Sequence, residues 1–327
     1  MTYPENALAE FKSFRVDLKD EMRGNIYREG ILIKGEYGWA EFAPFANHSI
    51  EHSARWLQAC LEMAWTKLPE PKATEVAVNA INTSKNPLKA IEMFQESGCK
   101  TLKVKLDGQN LLEEIDFLNQ INNLSKQEIK LRIDFNGALA IESAKEYLNN
   151  LTDFDIEYIE QPCSTLNEIE SLKKITDIPI AIDESLRLTK DSTEKDFLNK
   201  ISEIADFVIL KPIPLGGIKR FLDIANYLSG KNIKVVVSGS MDTSLGLYET
   251  TLAQTLINDS SSLVCGAGTG ALLLTDVVSK TLKPKNGKVE VIKLDLDESK
   301  LQQSPNEKEL FKKMNECYDF GKVEGWF

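Results

Sequence analysis

From Thr74 to the Gly266–Gly270 run, the chain alternates between short apolar strand-like stretches and helical ones at a nearly constant spacing. The strand-like runs are VAVNA, LKVKLD, IKLRIDF, IEYIEQP, IPIAIDES, DFVILKP, IKVVVSGS and SLVCGAG. Between them, residues 87–97, 110–123, 139–150, 166–174, 193–203, 216–229 and 243–256 read as helices. This order predicts right-handed βαβ units and a parallel sheet. The polar strand ends Lys105, Asp134, Glu160, Asp183, Lys211 and Ser238 lie 29, 26, 23, 28 and 27 positions apart. One strand–helix unit of an eight-stranded barrel takes about 30 residues, and such barrels keep their chemistry at the strands' C-terminal ends. A TIM-type α/β barrel is therefore expected, with an open doubly wound sheet as the competing topology.

The flanks have a different texture. Residues 8–17 read as a strand, REGILIKGEYGWAEFAP as a hairpin turning at Glu36–Gly38, and residues 50–67 as an amphipathic helix. A proline-rich break, LPEPK, follows. Residues 1–74 thus form a small α+β unit, and 75–284 the barrel. After Pro284, GKVEVIKLDL looks extended, and 285–327 is expected to rejoin the N-terminal unit because chain ends often lie close.

A net charge of −11 disfavours nucleic acid and anionic membranes as partners, so an anionic small molecule would need local positive groups. The N-terminus lacks a signal-peptide pattern, and no apolar run reaches membrane-span length. Five scattered cysteines without a CxxC pair read as reduced thiols, which points to the cytoplasm.

Asp134, Glu160 and Asp183 each end an apolar strand. A carboxylate there is costly to bury unless a positive charge meets it. Three hard oxygen donors, without sulfur or imidazole, select Mg²⁺ or Mn²⁺ over zinc. The competing reading is three helix N-caps or solvated strand ends. Asn136, two positions after Asp134, is placed to orient it or a substrate.

Lys103 and Lys105 share a strand face, and Lys211 ends a strand on the other flank of the acids. Partial burial near other cations would depress a lysine pKa and make it a usable general base. The alternative is solvated lysines at strand ends. Ser238, Ser240 and the run Gly266, Ala267, Gly268, Thr269, Gly270 read as a carboxylate cradle, or else as a plain tight turn. The only histidines, His48 and His52, precede the barrel, so its strands supply no imidazole for proton transfer or for a nucleophile triad. A divalent metal flanked by lysines suits proton abstraction next to a carboxylate.

KVK, then the acids of DFN, IEQP and IDES, then LKP, in this order and spacing, resembles the enolase superfamily and its muconate-cycloisomerase-like subgroup. RGNIYREGILIKGEYGWAEFAPF, VVVSGSMDTSLGL and LVCGAGTGALLLTDV resemble the o-succinylbenzoate synthases. The resemblance covers nearly the whole chain. It implies a modified TIM barrel, (β/α)7β, with an α+β capping domain built from the N-terminus and the C-terminal segment. It also implies a dehydratase converting 2-succinyl-6-hydroxy-2,4-cyclohexadiene-1-carboxylate to o-succinylbenzoate in menaquinone or phylloquinone synthesis. Carried over, Lys105 would be the base, Lys211 the cation on the opposite ring face, and Lys103 a holder of the carboxylate. Asp134, Glu160 and Asp183 would hold Mg²⁺. Ser238, Ser240 and the turn with Gly266, Gly268 and Thr269 would face the succinyl end, and the loop at Arg23–Gly24 would close as a lid, with Arg23 and Asn136 as further substrate contacts expected from their positions. Dipeptide epimerase and N-acylamino acid racemase activities are the rivals within the superfamily. A non-catalytic small-molecule binder is the rival outside it.

Overall fold

The computed structural model describes residues 3–22, 24–125, 128–257 and 263–327. Three antiparallel strands come first: β1 (Phe11–Met22), β2 (Asn25–Gly35) and β3 (Gly38–Phe42), in that spatial order. Helix α1 (Ile50–Trp65) follows, started by Ser49, whose hydroxyl accepts the His52 N–H. Its Leu57, Leu61 and Ala64 are fully buried, and the helix packs on β3.

Then come β4 (Glu75–Ala77), β5 (Ala80–Asn82), α2 (Pro87–Ser97), β6 (Thr101–Lys105), α3 (Leu111–Leu124), β7 (Lys130–Asp134), α4 (Ile141–Asn150), β8 (Ile156–Glu160) and α5 (Leu166–Lys173). The alternation continues through β9 (Ile180–Ile182), α6 (Glu184–Arg187), α7 (Lys195–Ile204), β10 (Phe207–Leu210), α8 (Pro212–Leu215), α9 (Ile218–Ser229), β11 (Lys234–Val237) and α10 (Ser244–Leu256). β12 (Lys288–Glu290) and α11 (Glu307–Val323) complete the chain. Strands β5 to β11 form one parallel sheet in sequence order. Local signals set the boundaries. Asn86 caps α2 by accepting the Leu88 and Lys89 N–H groups, and Thr165 with Glu168 forms a capping box on α5.

Three details differ from the sequence expectation. VAVNA is not one barrel strand: β4 pairs antiparallel with the returning β12, and the barrel proper begins at β5. Among the described residues the eighth run makes no ladder but closes the barrel through single parallel bridges, Val78 to Cys265 and Ser238 to Gly266. The polar sequence after the extended segment, for which no helix is expected, forms the 17-residue α11, and it packs against α1 and β2. Its buried residues are Met314, Cys317 and Gly321, a narrow stripe inside a highly charged sequence, which is why it does not stand out by periodicity.

Arg132 braces the closure from within. Its guanidinium is buried and donates to Glu157 Oε2 (2.6 Å), Asn79 Oδ1 (2.9 Å) and the Val264 carbonyl (2.9 Å). It therefore ties the middle of the sheet to the eighth run. Tyr158, Phe207, Ile209 and Val236 fill the barrel interior beside it.

Candidate active site

Register brings the chemistry to one level. Lys105 is the Cα partner of Asp134, and Asp134 of Glu160, across β6, β7 and β8. Partners in a parallel sheet present their side chains to the same face. Asp183 follows β9 directly, and all three acids are at most 1% exposed. Lys103 Nζ lies 2.7 Å from both Glu160 carboxylate oxygens and 3.0 Å from Asp134 Oδ2. Lys105 Nζ donates to Asp134 Oδ2 at 3.1 Å and to Asn136 Oδ1 at 3.3 Å. Lys211 Nζ meets Asp183 Oδ2 at 2.6 Å from the opposite flank.

Electrostatics follow from this crowding. Burial raises the Glu160 carboxyl above the usual range, and the charges of Asp134 and Asp183 add to it against Lys103. Burial would also raise Asp183, but Lys211 and Arg187 outweigh it and hold that carboxyl well below the usual range. Lys103 departs from the expectation of a depressed lysine. Burial lowers it, yet Asp134 and Glu160 together win and hold it above its ordinary value. It is a fixed cation, not a base.

Above this layer lies a cleft open to solvent. Lys103, Lys105, Lys211, Ser238, Ser240, Gly266, Gly268 and Thr269 reach it from the barrel. Met22, Phe45, His48 and Trp56 reach it from the N-terminal unit, and Arg187 from α6. Asn136 instead borders a neighbouring cleft that shares Met22 and Lys105 with the first. Its left-handed backbone, φ 50°, turns the amide back to donate to Asp134 Oδ1 at 2.6 Å. Arg23 lies outside the described residues.

The donor set matches a hard divalent cation in chemistry, burial and strand register. Asp183 Oδ1 is buried and, besides the Arg187 Nε at 3.2 Å, has no hydrogen-bond partner among the described residues. The acids are not drawn into a finished cage. Among the described residues, no three Asp, Glu, His or Cys side chains are grouped as metal ligands, and lysine ammonium groups bridge the carboxylates.

The family model described as Enolase C-terminal domain-like matches residues 88–294, and the one described as Enolase N-terminal domain-like matches residues 13–64. The o-succinylbenzoate synthase of Thermobifida fusca (strain YX) is 35% identical over 293 residues, covering 89% of this chain and 90% of that protein. That of Mycobacterium leprae (strain TN) is 34% identical, over 87% of this chain and 83% of its own length. The chain belongs to the o-succinylbenzoate synthase family of the enolase superfamily. Among solved structures, muconate lactonizing enzyme from Pseudomonas fluorescens superposes with a TM-score of 0.75 at 17% identity, over 89% of this chain and 97% of that one. The L-Ala-D/L-Glu epimerase of Bacillus subtilis gives 0.73 at 18%, over 88% and 96%. These two likenesses concern the fold.

Membership of the o-succinylbenzoate synthase family frames what sequence reasoning missed. His48 reaches the cleft from outside the barrel, wedged edge-on between Phe45 and Trp56. Burial first, then Arg187 and Lys313, pushes its pKa down to about 3, so it is a neutral wall and not a proton carrier at physiological pH. Arg187 was legible in principle. It stands four residues after Asp183, which on a helical turn returns its side chain to that carboxylate at 3.2 Å. The glycines of the closing run have a packing reason. A Cβ on Gly266 would come within 2.3 Å of Ser238 Oγ, so only glycine lets the seventh and eighth runs meet here. Cys163 and Cys265 are buried, and burial pushes their thiols up to about 11 and about 12, which suits packing.

Proposed function

We propose that this chain is a Mg²⁺-dependent dehydratase that converts 2-succinyl-6-hydroxy-2,4-cyclohexadiene-1-carboxylate to o-succinylbenzoate and water in menaquinone or phylloquinone synthesis. The observation that carries the reading is the pair Lys105 and Lys211. They come from strands on either side of three buried acids and line one cleft. Relatives of the same family at 34–35% identity over most of the chain support the assignment.

In this reading Asp134, Glu160 and Asp183 hold Mg²⁺, with Mn²⁺ as an alternative. Bound there, the ion would supply Lewis-acid stabilisation of the substrate carboxylate as negative charge develops on it. Lys105 Nζ, in its neutral form, takes the ring proton next to that carboxylate, and Asn136 and Asp134 fix its position. The C–H bond breaks first. The C–O bond at the neighbouring carbon then breaks, and the leaving oxygen recovers the proton from Lys105, so water departs and the ring becomes aromatic. Lys211 faces the other side of the ring, and its charge offsets that of the enediolate. Lys103 stays protonated and lies against the Glu160 and Asp134 carboxyl groups, offsetting their negative charge. Ser238, Ser240, Gly266, Gly268 and Thr269 form the wall assigned to the succinyl chain, and the loop at Arg23–Gly24 is assigned the lid.

Residues 1–74 are assigned to the cap, 75–284 to the barrel and 285–327 to the return. The cytoplasm is the proposed compartment, in keeping with five free, buried cysteines. Among the described residues no helix is long and apolar enough to cross a membrane. The epimerase alternative has less support. Asp276, the acid nearest the end of the barrel, is bonded to Ser244 by both oxygens and does not line the cleft. Incubating the protein and Mg²⁺ with the cyclohexadiene acid should produce an aromatic absorbance. Epimerisation of a dipeptide with no aromatic product would overturn the assignment.

A further inference from the structure

We propose that Arg28 and Glu41, two buried ionisable residues of the N-terminal sheet, are positioning residues for catalysis. They hold the loop after the seventh barrel strand, Ser238 to Thr243, in the shape that meets the substrate. The inference rests on the synthase reading for its substrate but not for its geometry.

Arg28 on β2 is 4% exposed. Its guanidinium donates to two main-chain carbonyls on different units: Ala43, just beyond β3, and Met241, at 3.3 Å, in the barrel loop. The same group lies 4.1 Å from the centre of the Phe45 ring. Phe45 and Met241 both line the reaction cleft, so one planar cation sets the spacing of two of its walls. Met241 needs that support, because its backbone sits at φ 63°, a strained region for a side-chain-bearing residue.

Glu41 on β3 works on the other end of the loop. Its Oε2 accepts the Thr243 N–H at 2.9 Å and the Thr243 hydroxyl at 2.5 Å. Thr243 in turn caps α10 by accepting the Leu245 N–H. Between these anchors, Asp242 Oδ2 accepts the Ser240 N–H at 2.8 Å and closes the loop on itself. Ser240 Oγ is left buried, in the cleft wall, without a hydrogen bond among the described residues. A buried hydroxyl without a protein partner is suited to a ligand. Burial, then Asp242, pushes the Glu41 carboxyl up to about 8, so at neutral pH it stands as the uncharged acid. A glutamine has the same shape and can make the same acceptance.

The test uses the full-length enzyme with Mg²⁺ and compares R28K, E41Q and E41A with wild type in steady-state kinetics, each referred to its folded fraction. Lysine keeps the charge of Arg28 but has one nitrogen for two carbonyls. R28K and E41A are expected to raise KM about tenfold while kcat stays within about threefold, and E41Q to remain near wild type. A purely structural role would lower the melting temperature and the folded fraction with KM unchanged, and that result overturns the proposal. E41Q behaving like E41A would overturn the part assigned to Glu41. Amide hydrogen exchange at Ser240 to Leu245 should quicken in R28K and E41A whatever the substrate is. Unchanged exchange would refute the anchoring itself, whereas a wild-type enzyme inactive on the cyclohexadiene acid would refute only the synthase assignment.

Discussion

Glu62 tests how burial sets charge where the N-terminal unit meets the barrel. It lies on α1 with its carboxylate against the start of α9, accepting the Ile218 N–H at 2.5 Å and the Lys219 N–H at 3.2 Å. Gly217 makes the space, since a Cβ there would come within 2.1 Å of Glu62 Oε2. Burial dominates and pushes the carboxyl from 4.5 up to about 7, against the two N–H donors. An acid that binds its proton more tightly when folded stabilises the fold only while protonated. That contribution is complete below about 4.5, is lost as pH rises to about 7, and is flat above. At about 1.4 kcal/mol per pH unit the loss is roughly 3 kcal/mol. Glu62→Gln cannot ionise. Its carbonyl keeps one N–H and leaves the other unmet, a pH-independent cost of about 1–3 kcal/mol. Urea unfolding of both proteins over this range should show the variant clearly weaker in acid and closing the gap by roughly 3 kcal/mol at neutrality. Taking the difference cancels other buried acids such as Glu41 and Glu249. Two parallel stability curves would refute the reasoning.

Other perturbations have equally direct readings. Lys105→Ala should reduce turnover by about 10²–10⁴-fold with the fold intact, and normal turnover would remove Lys105 from the role of base. Chelation with EDTA should abolish activity and added Mg²⁺ restore it; activity indifferent to chelation would end the divalent-cation reading. Arg132→Met removes three hydrogen bonds and leaves Glu157 without its cation. It should lower stability by about 3 kcal/mol and quicken amide exchange at Cys265 and Gly266, and unchanged exchange there would deny Arg132 its part in closing the barrel.

The barrel was legible because each unit repeats the same signals: an apolar strand followed, after a short turn, by a helix with one buried face. Helix α2 matches its sequence-read span of 87–97 to the residue, since Asn86, Pro87 and Gly98 punctuate it. That the acids and lysines come together was legible because a charge on an apolar strand has few bland explanations. What escaped depends on distant pairing. The split of VAVNA is decided by β12, more than 200 residues later. His48 and Phe45 join the site only because the N-terminal unit docks on the barrel mouth, and no local spacing encodes that. The elevated Lys103 shows the same limit. The strand pattern placed it beside cations, but the register placed it between two carboxylates, and the nearer charges decided.

The packing of α11 on α1 carries a consequence for biosynthesis. Residues 25–65 leave the ribosome well before residues 307–323, yet it is the helix made by those later residues that packs on α1 and β2. The barrel units lie between these two segments and can assemble in turn behind the advancing chain, while α1 waits for the residues of α11 to be made. A ribosome stalled before residue 307 would therefore hold a barrel beside an α1 that lacks its α11 partner.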